Sequence, residues 1–317
     1  MEYNENDCCG NGCANCILNM KSKTVIKYNN NNGKINVLNK YNYYVLLSKT
    51  RHISDINDIL ELHFKSKENG GDYILTLIPG GHVMMRITKQ QANESTEHNK
   101  YHLRPYSPYW WNNLTMEFKI LVNLKPQGYM SQYIERLQEE NEVEFRGLPD
   151  IYEHNIDSDG KTYQMIITQG IAIASTLAII EEILNNEEDM TRIVHVACFP
   201  HIKYVYFRNK FKDFNQYWNY KSFIYLSQQL CESKECQKMG HCLEDCLNFH
   251  KQLTYKETIY PYRLTTECLR HIKSKTMDKQ DYNKIAIIAG GSEFQKFYKK
   301  ILTSEDLDFV ENNIYLL

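Results

Sequence analysis

The spacing of apolar residues changes character near residue 160. Before it, short runs rich in β-branched and aromatic residues recur: Tyr43–Leu47, Tyr73–Ile78, Val83–Ile87, Met116–Val122 and Glu142–Phe145. Turn signals such as Asn69-Gly70-Gly71 and Pro79-Gly80-Gly81 separate them. One helix interrupts the series over 131–138, where Tyr133, Ile134 and Leu137 fall at helical spacing. Closely spaced strands with one short helix predict an antiparallel barrel or sandwich.

Beyond residue 160 strands and helices alternate. An apolar run Tyr163–Thr168 is followed by Gly170 and a helical stretch Ser175–Leu184. Strand Ile193–Cys198, helical His201–Phe211, strand Phe223–Ser227, strand Ile285–Ile288, Gly290-Gly291 and helical Glu293–Leu302 complete the series. That rhythm predicts a parallel α/β sheet with its ligand site at the carboxyl ends of the strands. The fold class expected is therefore a β-barrel domain over 36–155 followed by an α/β parallel-sheet domain over 156–317. A cysteine-rich insertion lies near 228–258. Residues 1–35 form a cysteine-rich segment whose asparagine run, Asn29–Asn32, and Gly33 read as a linker.

The 317 residues leave ample chain for two cores. Lys and Arg total 37 against 39 Asp and Glu, a formal net charge of -2, which argues against nucleic acid as the main partner. The stretch Met165–Ile180 is interrupted by Thr168, Gln169, Ser175 and Thr176. No membrane span of about 18 apolar residues is therefore expected. Ten cysteines without a recognisable secretory signal point to a reducing compartment. The location expected is cytoplasmic, or peripheral to a membrane through a partner.

The most informative segment is Arg104-Pro105-Tyr106-Ser107-Pro108. A guanidinium fork matches two phosphate oxygens, and a tyrosine two positions along a strand shares its face and can pack on a flat ring. Then comes Gly128-Tyr129-Met130-Ser131, a glycine and a serine at a helix entrance, suited to close approach by an anion. Together with Gln132-Tyr133 and Glu144-Phe145-Arg146-Gly147, these blocks resemble, in order and spacing, the flavin domain of the cytochrome b5 reductase branch of the ferredoxin–NADP reductase superfamily. Pro79-Gly80-Gly81-His82-Val83 resembles the strand that precedes them.

The resemblance implies FAD and NADH as cofactors. It places Arg104, with Pro105 beside it, on the FAD pyrophosphate, Tyr106 against the isoalloxazine, and Ser107 at the ring edge near the hydride-accepting nitrogen, as the catalytic residue. Glu117 and Lys119 fall on the next strand, Lys119 at a lysine associated with pyridine nucleotide. Gly128, Tyr129, Met130 and Ser131 form the diphosphate cradle. The reaction implied is an FAD-dependent NADH reductase, with nicotinamide stacked on flavin at the crevice between domains. Electrons then pass singly to a haem protein such as cytochrome b5.

The second half departs from the family. Where a G-x-G-[IL]-[AT]-P turn is expected the chain has Gly170-Ile171-Ala172-Ile173-Ala174-Ser175, and where Cys-Gly is expected it has Ala289-Gly290. Gly170, Ala172 and Gly290 are the positions the resemblance assigns to the nucleotide. Arg263, in Tyr262–Leu269, is either a nucleotide contact or a solvated surface residue. These departures motivate two alternatives: a flavin-binding interaction protein with weakened or lost NADH activity, or a metal-binding adaptor on a reductase scaffold.

Two cysteine clusters bear on the last. Cys8, Cys9, Cys13 and Cys16 resemble the oxidoreductase-like segment found on some reductase-like proteins; adjacent Cys8 and Cys9 diverge, which suits a thiol-bearing tail better than zinc. Cys231, Cys236, Cys242 and Cys246, with His241 and His250, contain no C-x-x-C pair, so no metal ligand is assigned. The acidic run Glu181, Glu182, Glu187, Glu188, Asp189 reads as a solvated helix end, and Lys203, Arg208, Lys210 and Lys212 as a basic patch on the next helix.

Overall fold

The computed structural model describes residues 33–53, 58–68, 70–88, 101–147, 152–229 and 246–317. The N-terminal cysteines, Cys231, Cys236, Cys242 and His241 lie outside them. The chain divides into two compact units between Glu153 and His154.

The first unit contains β1 (Ile35–Asn36), β2 (Asn42–Ile53), β3 (Asp58–Ser66), β4 (Tyr73–Ile74), β5 (Val83–Thr88), β6 (Tyr101–Tyr106), β7 (Pro108–Asn112), β8 (Glu117–Asn123), α1 (Tyr129–Arg136) and β9 (Glu142–Gly147). Seven strands form one antiparallel sheet in the order β6-β5-β9-β2-β3-β8-β7, and β1 pairs with β4 in a separate parallel ladder. The two edge strands, β6 and β7, are joined by Ser107 alone. Two peptide units span only about 7 Å, so the sheet has to curl until its edges meet at that residue. This is the barrel expected from the sequence.

Alternation along the strands fills its interior. Phe118, Ile120 and Val122 point inward from β8, Val83, Met85 and Ile87 from β5, and Leu60, Leu62 and Phe64 from β3. Tyr44, Phe64, Phe118 and Phe145 pack edge-on or tilted, with ring centroids 4.8–5.7 Å apart. Met130, Ile134 and Leu137 bring α1 onto this core. Lys49 holds the end of α1, its ammonium donating to the carbonyls of Ile134 (3.0 Å), Glu135 (2.6 Å) and Leu137 (2.9 Å). A cation there also opposes the helix dipole.

Tyr73–Ile78 is strand for only two residues. Beyond Ile74 its partners are irregular: Asn36 accepts from the Thr76 amide (3.1 Å) and donates to the Thr76 carbonyl (2.9 Å). The helix expected at 131–138 begins at Tyr129 instead, with Gly128 as its N-cap.

The second unit contains β10 (Thr162–Gln169), α2 (Ala174–Asn185), β11 (Arg192–Phe199), α3 (Arg208–Phe214), β12 (Tyr220–Leu226), α4 (Leu247–His250), β13 (Ile259–Tyr260), α5 (Thr266–Thr276), β14 (Asn283–Ala289), α6 (Ser292–Leu302) and β15 (Ile314–Leu316). All six strands are parallel, in the order β13-β12-β11-β10-β14-β15. The central strand β10 is buried from Tyr163 to Thr168, the continuous apolar run of a sheet covered on both faces. The chain winds outward from β10 to β13, then returns to place β14 on the other side of β10. That reversal puts a topological switch point at the ends of β10 and β14.

The helix expected over His201–Phe211 is broken. A 3-10 turn spans Ile202–Tyr204, Phe207 takes a left-handed φ of 58°, and α3 starts at Arg208. Arg208 is held by both oxygens of Glu257 (2.6 Å each) and by the Gln252 carbonyl. The acidic run is not wholly solvated either. Asp189 is buried and bonded to His154, and Lys210 of the basic patch pairs with Glu181.

His195 is fully buried in β11, with Nδ1 2.8 Å from the Tyr220 hydroxyl and Nε2 3.2 Å from Thr168 Oγ1. Burial pushes its pKa down to about 3. The unfolded chain therefore takes up a proton near pH 6.5 that the folded chain refuses, and stability falls as pH drops below that value. Denaturant unfolding at a series of pH values should show a slope of up to about 1.4 kcal/mol per pH unit from this one group, flattened in His195→Gln. Independently, Lys49→Met should lower Tm by roughly 3–6 °C, the cost of about 1–2 kcal/mol from lost charge-assisted bonds to carbonyls.

Candidate functional site

Strand β6 owes its place at a sheet edge to sequence as much as to register. Pro105 cannot donate a ladder hydrogen bond and is exposed, and Pro108 opens the other edge strand. Within β6, His102, Arg104 and Tyr106 pair with Ile87, Met85 and Val83, whose side chains are in the barrel core. These three side chains therefore share the inner face, as the two-residue spacing of Arg104 and Tyr106 predicted. Tyr106 packs against the core, and burial raises its phenol well above the usual range, with Arg104 acting in the opposite direction. Arg104 Nη1 donates to the neighbouring Leu103 carbonyl at 2.7 Å.

The start of α1 is fixed beside this strand. The Tyr129 ring stacks on His102, with centroids 5.1 Å apart and planes 19° from parallel. Gly128 caps the helix without any side-chain bond. A methyl group on it would stand 3.4 Å from both the Lys125 carbonyl and Ser131 Oγ. Ser131 Oγ accepts from the Lys125 amide at 3.0 Å, which leaves its proton to donate elsewhere. The Met130 side chain is buried in the barrel, so this residue offers a ligand only its backbone.

Glu117 and Lys119 lie on the other face of the wall. They alternate with the core residues Phe118 and Ile120, and so project outward. Glu117 is 3.1 Å from His63 Nε2 and 3.6 Å from Lys65, while Lys119 is 3.4 Å from Glu61 and sits over the Trp110 ring. Their side chains are not brought together with Arg104 and Tyr106.

His82, read in the sequence only as part of the Pro79–Val83 block, is half-buried in the structure. It stands one step beyond the Val83–Tyr106 pair, where the ladder would continue to Ser107. Its Nδ1 is buried with no hydrogen-bond partner among the described residues, and burial lowers its pKa to about 4. The available signal was a histidine directly after the Gly80-Gly81 turn, in which Gly80 has φ +81°.

In the second unit, Gly170 follows β10 with φ +56° and opens a 3-10 turn that leads into α2. No atom lies within 4 Å of where its Cβ would be, so the demand for glycine is conformational. Ser175, which occupies the proline position of the expected pattern, donates its hydroxyl to the Ala172 carbonyl at 2.8 Å. Gly290 is different. A methyl group there would meet Phe294 Cδ1 at 2.7 Å and Gln169 Cβ at 3.0 Å. Gln169 Oε1 accepts from the Gly291 amide at 3.3 Å.

Arg263 is exposed just before α5, and its charge opposes the burial that pushes the Cys198 thiol up to about 12. Cys246 is buried beside α4. Among the described residues no cluster of His, Cys, Asp and Glu could hold a metal ion, and no helix is long and apolar enough to cross a membrane.

Residues 44–150 match the family described as "Oxidoreductase FAD-binding domain". The chain is 21% identical over 238 residues to a Homo sapiens protein named "NADH-cytochrome b5 reductase-like", covering 70% of each. Among solved structures it resembles the cytochrome b5 reductase domain of Ulva prolifera nitrate reductase, with TM-score 0.62 and 16% identity, over 89% of this chain and all of that one. Plasmodium falciparum ferredoxin-NADP+ reductase superposes with TM-score 0.58 and 14% identity, over 87% of this chain and 95% of that one. A barrel closed at Ser107, a six-stranded parallel sheet and these likenesses agree: the chain carries an oxidoreductase FAD-binding domain over residues 44–150, and its two units have the fold of the cytochrome b5 reductase and ferredoxin-NADP+ reductase structures it resembles.

Proposed function

We propose that the chain is an NADH-dependent reductase that delivers electrons to a one-electron acceptor of the cytochrome b5 type. The observation that carries this reading is the inner face of β6, where Arg104 and Tyr106 stand next to the stacked His102–Tyr129 pair at the start of α1. The residues present fit a flavin dinucleotide: a cation, a flat ring and an open helix start share one locality. His82 adds a buried nitrogen awaiting a partner.

FAD, when bound, supplies the redox chemistry, accepting a hydride from reduced nicotinamide and releasing electrons one at a time. The chain supplies position and charge. Arg104 pairs with the pyrophosphate through its planar fork. The Gly128–Ser131 entrance contributes backbone amides and the Ser131 hydroxyl proton to the same phosphates. Tyr106 presents its ring to the isoalloxazine, and Ser107 holds a hydroxyl at the barrel seam, where it can donate to the ring edge. Pro105 keeps the strand edge from pairing with another strand. Glu117 and Lys119, facing outward, are left with structural ion pairs and backbone contacts. Relatives named NADH-cytochrome b5 reductase-like support the choice of NADH and of a haem-protein acceptor.

The covering of Gly290 by Gln169 and Phe294 favours a second reading, a flavoprotein whose nucleotide half has lost activity. One preparation separates the two. Purified protein should be yellow, and anaerobic NADH should bleach its visible absorbance; a yellow protein that keeps its colour under excess NADH supports the second reading. Arg104→Ala should weaken FAD binding by roughly 10- to 100-fold, the worth of a charge-assisted pair. Wild-type flavin content in that variant, measured after gel filtration, would overturn the site assignment.

A further inference from the structure

We propose that Gln169 is an internal ligand of the second unit's switch point, lowering its affinity for a dinucleotide by occupying the Gly291 amide that the nucleotide must take over. The inference rests on reading this unit as the nucleotide-binding half, and it deepens that reading.

Gln169 is the last residue of β10, and Gly291 is the N-cap of α6 just beyond β14. These strands flank the reversal of sheet order, so the two residues face each other across the place where a parallel α/β sheet receives its ligand. The α6 N-cap glycine has no side chain to satisfy the helix's first amides. An oxygen from a residue 122 positions away takes one of them instead.

The same side chain covers the glycine beside it. A Cβ on Gly290 would be 3.0 Å from Gln169 Cβ and 3.2 Å from Oε1, with Phe294 closing the other side at 2.7 Å. Backbone that would admit a flat or phosphorylated ligand is thus screened by two side chains. Phe294 is packed against the core and the Tyr298 ring, with centroids 4.6 Å apart, but Gln169 is held only loosely. The Gln169 bond, at 3.3 Å, is at the long end for N–H to oxygen, and Gln169 is exposed. A neutral amide oxygen at a helix start is also a weaker partner than a phosphate oxygen, which gains from the dipole. An incoming nucleotide can therefore displace the carboxamide, at a cost in affinity.

The test is equilibrium titration of the full FAD-loaded chain with NAD+ and with ADP-ribose, alongside thermal melts. Gln169→Ala removes the competitor and should bind both probes about 5- to 10-fold more tightly. Gln169→Glu keeps the length and the acceptor but adds a charge that repels phosphate, and should bind about tenfold more weakly. Equal or weaker binding by Gln169→Ala overturns the proposal while leaving the nucleotide reading intact. A drop in Tm with unchanged affinity assigns Gln169 to helix capping alone and overturns it equally. If wild type and both variants bind neither probe at millimolar concentration, the nucleotide reading fails and the proposal with it.

Discussion

Opposite edges of one antiparallel sheet cannot be joined by a single residue unless the sheet closes on itself. The connection through Ser107 imposes that closure on the first unit, and the placement of the candidate site on β6 follows from it. Once β6 is an edge, its proline is tolerated and its alternate side chains face the barrel interior. Once the seam is at residue 107, Ser107 follows the Arg104–Tyr106 strand directly in the chain. Stacking of His102 on Tyr129 then holds the α1 entrance to the same strand. Lys49 secures the other end of that helix, so α1 is gripped at both termini. A resident cofactor requires this kind of rigidity, because its orientation is set by groups whose own positions are over-determined.

The second unit is governed by a different constraint, the reversal of winding between β10 and β14. Strands buried on both faces leave few places where backbone amides are open, and the switch point is where parallel sheets concentrate them. Here the glycines on its two sides do separate jobs. Gly170 supplies a left-handed turn in open space, while Gly290 supplies close packing under Phe294 and Gln169. The likeness of both to a glycine-rich nucleotide turn conceals that difference.

The kind of each sheet, antiparallel then parallel, was legible in the sequence because each has a clean period, whereas the order of strands within them was not. Alternation marks the barrel strands, and continuous apolar runs mark the parallel ones. Arg104 and Tyr106 on one face follow from the period of two alone. What was not legible depends on contacts between distant residues. Strand β3, Asp58–Ser66, was overlooked because its outward residues Glu61, His63 and Lys65 dilute the apolar signal. The end of the Tyr73–Ile78 strand is decided by the Asn36 side chain, and the break before α3 by a left-handed Phe207. The outward direction of Glu117 and Lys119 required the register of β8 against β3. Gln169 reads locally as nothing more than the polar end of a strand.

The two halves face unequal demands, and this gives the Gln169 contact a kinetic meaning. A flavin stays bound through many turnovers, whereas a nicotinamide nucleotide has to enter and leave in each one. Where the guarded amide binds a part common to the oxidised and reduced nucleotides, an internal group that competes for it weakens both alike. Uniform weakening of that kind raises KM and speeds product release without altering the barrier to hydride transfer. A loss of affinity at the switch point is therefore compatible with full activity at high nucleotide concentration. A substitution at the Ser107 seam, next to the reacting ring in the proposed reaction, has no such latitude.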